Sequence, residues 1–140
     1  MLTMEMLQDA KKVLDGVARK TPVFQSTYIN PDADVYIKCE NMQVTGSFKL
    51  RGAYFKTASL TDAEAQKGVI ACSAGNHAQG VALAAQKKGI PAVICMPESA
   101  PMAKVEATRS YGAEVVLVPG VYDDAAAKAT QLQQEKGYTF

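Results

Sequence analysis

Apolar residues in the second half of the chain form three short runs that alternate with helical stretches. The runs cover residues 69–72, 92–96 and 115–118, and their starts lie 23 residues apart. The helical stretches cover residues 76–88, 102–111 and 123–136, and each closes on a glycine: Gly89, Gly112 and Gly137. Continuous apolar strands alternating with helices predict an α/β fold, with a parallel sheet in three layers and helices on both faces.

The first half of the chain has a less regular pattern. An apolar stripe with helical spacing, capped by Thr3, runs from Met6 to Val17, and the pair Thr21-Pro22 should end that helix. Residues 23–24 favour a short extended piece, and residues 35–39 alternate in the manner of a half-buried strand. Helical spacing returns from Ser47 to about residue 60, and a capping box of Thr61 and Glu64 then opens a short helix.

The composition narrows the class of protein. Of the 140 residues, 48% are hydrophobic and 21% are charged, and the net charge of +1 gives no electrostatic basis for binding nucleic acid or an acidic membrane surface. Cys39, Cys72 and Cys95 stand singly in apolar surroundings, which predicts buried thiols in strands and neither disulfides nor a metal site. The first residues lack a secretory signal pattern, so we expect a cytoplasmic protein.

The first candidate for chemistry follows the first parallel strand. Ligands of parallel α/β sheets bind beyond the carboxyl ends of the strands, and the segment there is Ser73-Ala74-Gly75-Asn76-His77-Ala78-Gln79-Gly80. Gly75 would permit a tight turn, and the helix starting near Asn76 would direct unpaired backbone N–H groups at an anion. An ordinary strand-to-helix loop with a polar cap explains the same residues equally well.

Two side chains near this segment could be reactive. Lys49 lies in the first turn of a helix that Ser47 should cap, where the helix dipole favours the free amine over the ammonium and so a nucleophile for carbonyl groups. Its position alone leaves open a solvated surface lysine. His77 is the single histidine, so no metal site is predicted, and the residue serves either to shape the loop or as an acid–base group.

The segment Lys38-Cys39-Glu40-Asn41-Met42-Gln43-Val44-Thr45-Gly46-Ser47-Phe48-Lys49-Leu50-Arg51-Gly52-Ala53 resembles the lysine motif of the fold-type II pyridoxal-phosphate enzymes. Residues 73–85 resemble the loop with which that family holds the substrate carboxylate. Met96-Pro97 and residues 104–115 resemble the threonine dehydratase branch in particular. Serine racemases carry a serine where this chain has Ala74, which has no proton to exchange, so the resemblance favours elimination over racemisation.

This resemblance implies specific roles. Lys49 would carry pyridoxal 5'-phosphate and act as the catalytic base, Phe48 would lie against the cofactor ring, and Asn76 would bond the ring hydroxyl. The substrate carboxylate would be held by four residues of the loop: Ser73, Gly75, Asn76 and His77. The implied reaction converts L-threonine to 2-oxobutanoate and ammonia, with L-serine as another substrate, and isoleucine biosynthesis is one pathway that would use it.

The resemblance also implies how the chain is organised. The fold would be that of the tryptophan-synthase-beta-like enzymes, with residues 1–48 as the start of the large domain and residues 49–140 as the small βα domain. The glycine run that holds the cofactor phosphate in this family does not occur here, and Tyr138-Thr139-Phe140 has the pattern of an opening strand. We therefore expect an N-terminal fragment that does not catalyse alone and that pairs with its remainder or forms a homo-oligomer. A serine dehydratase or serine racemase-like enzyme stays an alternative, as does a non-catalytic anion-binding or assembly domain.

Overall fold

A computed structural model describes residues 2–140. A 3-10 turn at Glu40–Met42 precedes the helix that begins at Lys49. In chain order the helices and strands are α1 (Met4–Val13), β1 (Val23–Ser26), β2 (Val35–Lys38), α2 (Lys49–Ala58), α3 (Asp62–Lys67), β3 (Val69–Cys72), α4 (Asn76–Lys88), β4 (Ala92–Pro97), α5 (Met102–Ser110), β5 (Glu114–Val118) and α6 (Tyr122–Lys136).

The predicted parallel sheet is present. Its strand order is β3-β4-β5, with Val69 opposite Ala92 and Ile94 opposite Val115. Every residue of β3 and β4 is buried, as continuous apolar strands require, because helices cover both faces. One face packs against α2, α4 and α5, and the other packs against α6 through Ala125 and similar small residues. The three-layer α/β prediction is confirmed.

Helix α2 is held along α4 by a lysine as well as by apolar packing. The Lys88 ammonium, near the end of α4, donates to the backbone carbonyl oxygens of Thr57, Ala58 and Leu60 at 3.0, 3.2 and 3.3 Å. These carbonyls lie at or just beyond the end of α2, where helical N–H partners run out. The cation therefore stabilises the negative end of the helix that begins at Lys49.

Local signals place most helix ends as expected. Thr61 and Glu64 form the reciprocal capping box of α3. Gly89 and Gly137 follow α4 and α6 in the left-handed conformation, which a residue with a side chain rarely adopts. Pro101 occupies the cap position of α5, and Met102 is the first helical residue.

The first half of the chain departs from the predictions. Helix α1 has its Thr3 cap but ends at Val13 rather than near Thr21, and it buries none of its residues. Strand β2 is mostly exposed, with Tyr36 at 63%, rather than half-buried, and it pairs with β1 as an antiparallel hairpin that the pattern did not show. Amphipathic spacing indicates which face can be buried, but only a packing partner buries it.

Two of the three cysteines are buried in strands, as predicted. Cys72 and Cys95 are buried thiols in register on β3 and β4, whereas Cys39 lies just after β2 and is partly exposed, so the strand prediction is wrong for it. Thr139 forms a parallel bridge with Val69, which agrees with the predicted strand opening. Among the helices of residues 2–140, none has both the length and the apolar character that crossing a membrane needs.

Candidate active site at the starts of two helices

Lys49 is the first residue of α2 and its side chain is exposed. Its Nζ lies 5.4 Å from the centroid of the Phe48 ring, which is itself 58% exposed. Within residues 2–140 no carboxylate pairs with this Nζ and no acceptor hydrogen-bonds it. The expected cap by Ser47 is only partly correct: Phe48 occupies the cap position without a side-chain bond, and the Ser47 hydroxyl accepts from the Lys49 backbone N–H at 3.4 Å. The amine is therefore accessible beside an exposed aromatic ring.

Helix α4 begins at Asn76 with no side-chain cap. Its first-turn N–H groups therefore lack the partner that a capping side chain would supply, and such a helix start attracts anions. The Ser73 hydroxyl accepts from the Gly75 backbone N–H at 3.3 Å, which shapes the loop before the helix.

Gly75 was expected to permit a tight turn, but its backbone conformation does not demand a glycine. Its φ is −140°, outside the left-handed region, and a Cβ built on it would meet no atom within 4 Å. The turn itself therefore does not require glycine. The missing side chain leaves open space in front of the start of α4, where a ligand could approach the backbone closely.

A second glycine brings the two helix starts together. A Cβ at Gly80, one turn into α4, would lie 3.2 Å from the carbonyl carbon and oxygen of Lys49 and 3.3 Å from the Leu50 nitrogen. Helix α4 thus crosses α2 at the backbone of Lys49, with almost no space between them. This contact joins the two segments that the sequence had indicated separately.

His77 lies close enough to the crossing of α2 and α4 for the charge of Lys49 to affect its pKa. Partial desolvation lowers the pKa of His77 below its ordinary value, and the positive charge of Lys49 lowers that pKa further. The imidazole is accordingly biased towards its neutral form, which can both donate and accept a hydrogen bond.

Lys104 contacts the candidate site, although no role was predicted for it from the sequence. Its ammonium, in the first turn of α5, donates to Oδ1 of Asn76 at 3.0 Å. The two residues are 28 positions apart, so no local pattern joins them. A usable signal was present nevertheless, because neighbouring parallel strands deliver the segments after β3 and β4 to the same edge of the sheet.

Across residues 2–140 no group of three or more potential metal ligands occurs.

The segment before Lys49 is tied to α2 by an ion pair. The Arg51 guanidinium donates to both carboxylate oxygens of Glu40 at 2.9 and 2.8 Å, and the Thr21 hydroxyl donates to the same carboxylate at 2.6 Å. The Gln43 side chain adds bonds to the backbone N–H and carbonyl of Arg19. These bonds fix the chain that leads into Phe48 and Lys49.

The ion pair predicts a pH dependence of stability. The hydrogen bonds from Arg51 hold the pKa of Glu40 at about 2, below its ordinary 4.5. The stabilisation is therefore complete above pH 4.5 and is lost as the pH falls towards 2. We expect Glu40→Gln to cost about 2 kcal/mol at neutral pH, a value reduced for the partial exposure of Arg51, and to flatten this acid dependence in urea unfolding.

The control for this measurement is Glu106→Gln. Glu106 pairs with Arg109 at 3.0 Å on the surface of α5, where both side chains are largely exposed. That variant should change the free energy of unfolding by less than about 1 kcal/mol. Equal effects of the two substitutions would contradict a special role for the Glu40 pair.

The chain is similar to known proteins over nearly its whole length. The family model described as pyridoxal-phosphate dependent enzyme matches residues 14–140. L-threonine ammonia-lyase of Thermotoga maritima is 46% identical over 100% of this chain and 35% of its own length. The catabolic L-threonine dehydratase of Escherichia coli K12 is 48% identical over 94% of this chain and 41% of its own length. The chain thus spans well under half the length of these curated relatives.

Solved structures give the same picture of the fold. The processed form of threonine deaminase isoform 2 from Solanum lycopersicum superposes with a TM-score of 0.86 at 39% identity, covering 96% of this chain and 40% of that one. Maize serine racemase superposes with a TM-score of 0.89 at 35% identity, covering 97% of this chain and 42% of that one. The backbone is therefore shared by lyases and racemases, and only side chains can separate them.

Proposed function

The chain belongs to the family of pyridoxal-phosphate-dependent enzymes, and on that basis we propose that it supplies the lysine and the substrate-carboxylate loop of a threonine ammonia-lyase. The family's cofactor is pyridoxal phosphate, and the curated relatives named above act on L-threonine according to their names. The whole reaction is a proposal here because those relatives are more than twice as long as this chain.

One contact carries the proposal most directly. Gly80, one turn into α4, packs on the backbone of Lys49, so that a residue with an accessible amine lies against the helix whose start is uncapped. A compound with both a carbonyl and an anionic group fits this combination, because the nucleophile can attack the carbonyl and the N–H donors can bind the anionic group. The Phe48 ring, exposed next to Nζ, offers a flat apolar surface for an aromatic cofactor.

The residues present fit the cofactor ring and an amino-acid carboxylate. Lys49 would hold the cofactor through Nζ, with Phe48 against the ring and Asn76 bonding the ring hydroxyl. The bound cofactor would supply an electron sink for the charge left on the substrate α-carbon. The carboxylate would be bound by Ser73, Gly75, Asn76 and His77, largely through backbone N–H groups.

The steps that this chain would perform are proton transfers and orientation. The Lys49 amine would remove the α-proton of the substrate. Departure of the β-hydroxyl as water leaves an unsaturated amine, and its hydrolysis gives 2-oxobutanoate and ammonia. Ala74 supports elimination over racemisation, because its methyl group has no proton to return to the opposite face.

The partners and location are also proposals. We infer that residues 1–48 belong to a larger domain completed by further polypeptide or by another copy, because Phe24 and Tyr36 on the hairpin are more than half exposed. The buried free thiols Cys72 and Cys95 suit a reducing cytoplasm. The names of several dehydratase relatives include the word catabolic, so we propose threonine breakdown rather than isoleucine biosynthesis.

The test is a chimera in which residues 1–140 replace the matching segment of the Thermotoga maritima L-threonine ammonia-lyase. We expect pyridoxal phosphate binding and ketoacid release from L-threonine, with slower release from L-serine. The same chimera carrying Lys49→Ala is the inactive control. A folded chimera that binds no cofactor and releases no ketoacid would instead support a non-catalytic anion-binding or assembly domain, and one that racemises L-serine would contradict the argument from Ala74.

A further inference from the structure

We propose that Lys104 is a positioning residue that makes Asn76 a hydrogen-bond donor, so that the start of α4 selects an anionic oxygen. The starting observation is the 3.0 Å bond from the Lys104 ammonium to Oδ1 of Asn76. This inference rests on the proposed function for its ligand, but the bond itself is independent of any cofactor.

The direction of the Asn76 amide follows from what lysine can do. An ammonium has three N–H donors and no acceptor, so the amide atom that faces it must be the oxygen. The Nδ2 group, with two N–H donors, is then left for another partner, and it makes no hydrogen bond within residues 2–140. Without Lys104 the amide could rotate and present its oxygen instead.

The charges around Asn76 act in the same direction. Among the described residues no carboxylate lies within ion-pair distance of Lys104, and none pairs with Lys49. The first-turn N–H groups of α4 add the positive end of a helix dipole. Apart from His77 and the Ser73 hydroxyl, which can also accept, the side chains named here are donors or cations. An oxygen bearing negative charge therefore fits them better than a hydroxyl that must donate.

Two oxygens of the proposed reaction have this chemistry. One is the hydroxyl of the cofactor ring in its deprotonated form, and the other is the substrate carboxylate. Lys104 would favour either of them by the same means, namely a fixed amide donor and a nearby positive charge. The experiment below separates the two.

The first measurement uses the full chain with pyridoxal phosphate. Borohydride reduction and peptide mapping report whether Lys49 carries the cofactor, and absorbance before reduction reports the balance between deprotonated and protonated ring hydroxyl. Lys104→Met should shift that balance towards the protonated form by about tenfold. Lys104→Arg should restore the balance, because a guanidinium also only donates.

The second measurement needs no cofactor. Acetate is titrated into the unliganded chain while NMR follows the backbone N–H signals of residues 75–78. Lys104→Met should weaken acetate binding by about fivefold if the carboxylate is the preferred oxygen. The matched control is Lys128→Met, which removes another lysine-to-amide bond of 3.0 Å, to Gln131 on α6, and the same charge.

Each result decides a separate point. A changed spectrum assigns the ring oxygen, and weaker acetate binding assigns the carboxylate. If both stay at the wild-type values in Lys104→Met, or if Lys128→Met causes equal changes, the inference is overturned. Absence of cofactor on Lys49 in the wild-type chain would count against the proposed function instead, and the acetate titration would still decide the role of Lys104.

Discussion

Replacing Lys49 by alanine is expected to lower covalent capture of pyridoxal phosphate by about 10²-fold or more, because it removes the amine nucleophile of the candidate site. The Lys49 residue is exposed, no carboxylate among residues 2–140 pairs with its amine, and the Gly80 contact holds its backbone against α4. Arginine should fail as completely as alanine, since a guanidinium keeps its proton and cannot attack a carbonyl. Borohydride reduction followed by intact mass and peptide mapping measures the captured fraction.

Lys56→Ala is the matched control for this prediction. Lys56 is an exposed lysine near the opposite end of the same helix. Its replacement should leave the captured fraction unchanged. Full capture by the Lys49→Ala chain, at Lys104 or any other lysine, would contradict the assignment of the reactive amine.

The second large effect is expected at Gly80. Valine at this position would place atoms against the Lys49 carbonyl, where even a Cβ comes within 3.2 Å of the backbone. Helix α4 must then move away from α2, which should lower the free energy of unfolding by about 2 kcal/mol and also reduce cofactor capture at Lys49. Urea unfolding gives the first quantity and borohydride trapping gives the second.

Gly52→Val separates this contact from the general effect of changing a helical glycine. Gly52 lies inside α2, and a Cβ there would meet no atom within 4 Å. Because valine has a somewhat better helix propensity than glycine, this variant should match or slightly exceed the wild-type stability. If Gly80→Val unfolds at the same urea concentration as Gly52→Val, the close crossing of α2 and α4 is not what holds Lys49.

The predicted order of strands and helices from Thr61 onward was correct because its signals are local. Continuous apolar runs, a capping box at Thr61 and glycines after the helices each act within a few residues. Where burial depended on a distant partner, the same patterns were insufficient. Helix α1 keeps its apolar stripe and its Thr3 cap, yet none of its residues is buried.

The candidate site shows the same difference between local signals and contacts with distant residues. The sequence by itself indicated the candidate side chains: Lys49 in its motif, and the loop from Ser73 to His77 at the end of an apolar strand. Only the tertiary structure decided that Gly80 joins these two segments and that Lys104 bonds Asn76. The physical reason is that a motif or a cap depends on neighbours in the chain, whereas contacts between residues about 30 positions apart exist only after α2, α4 and α5 have packed around the sheet.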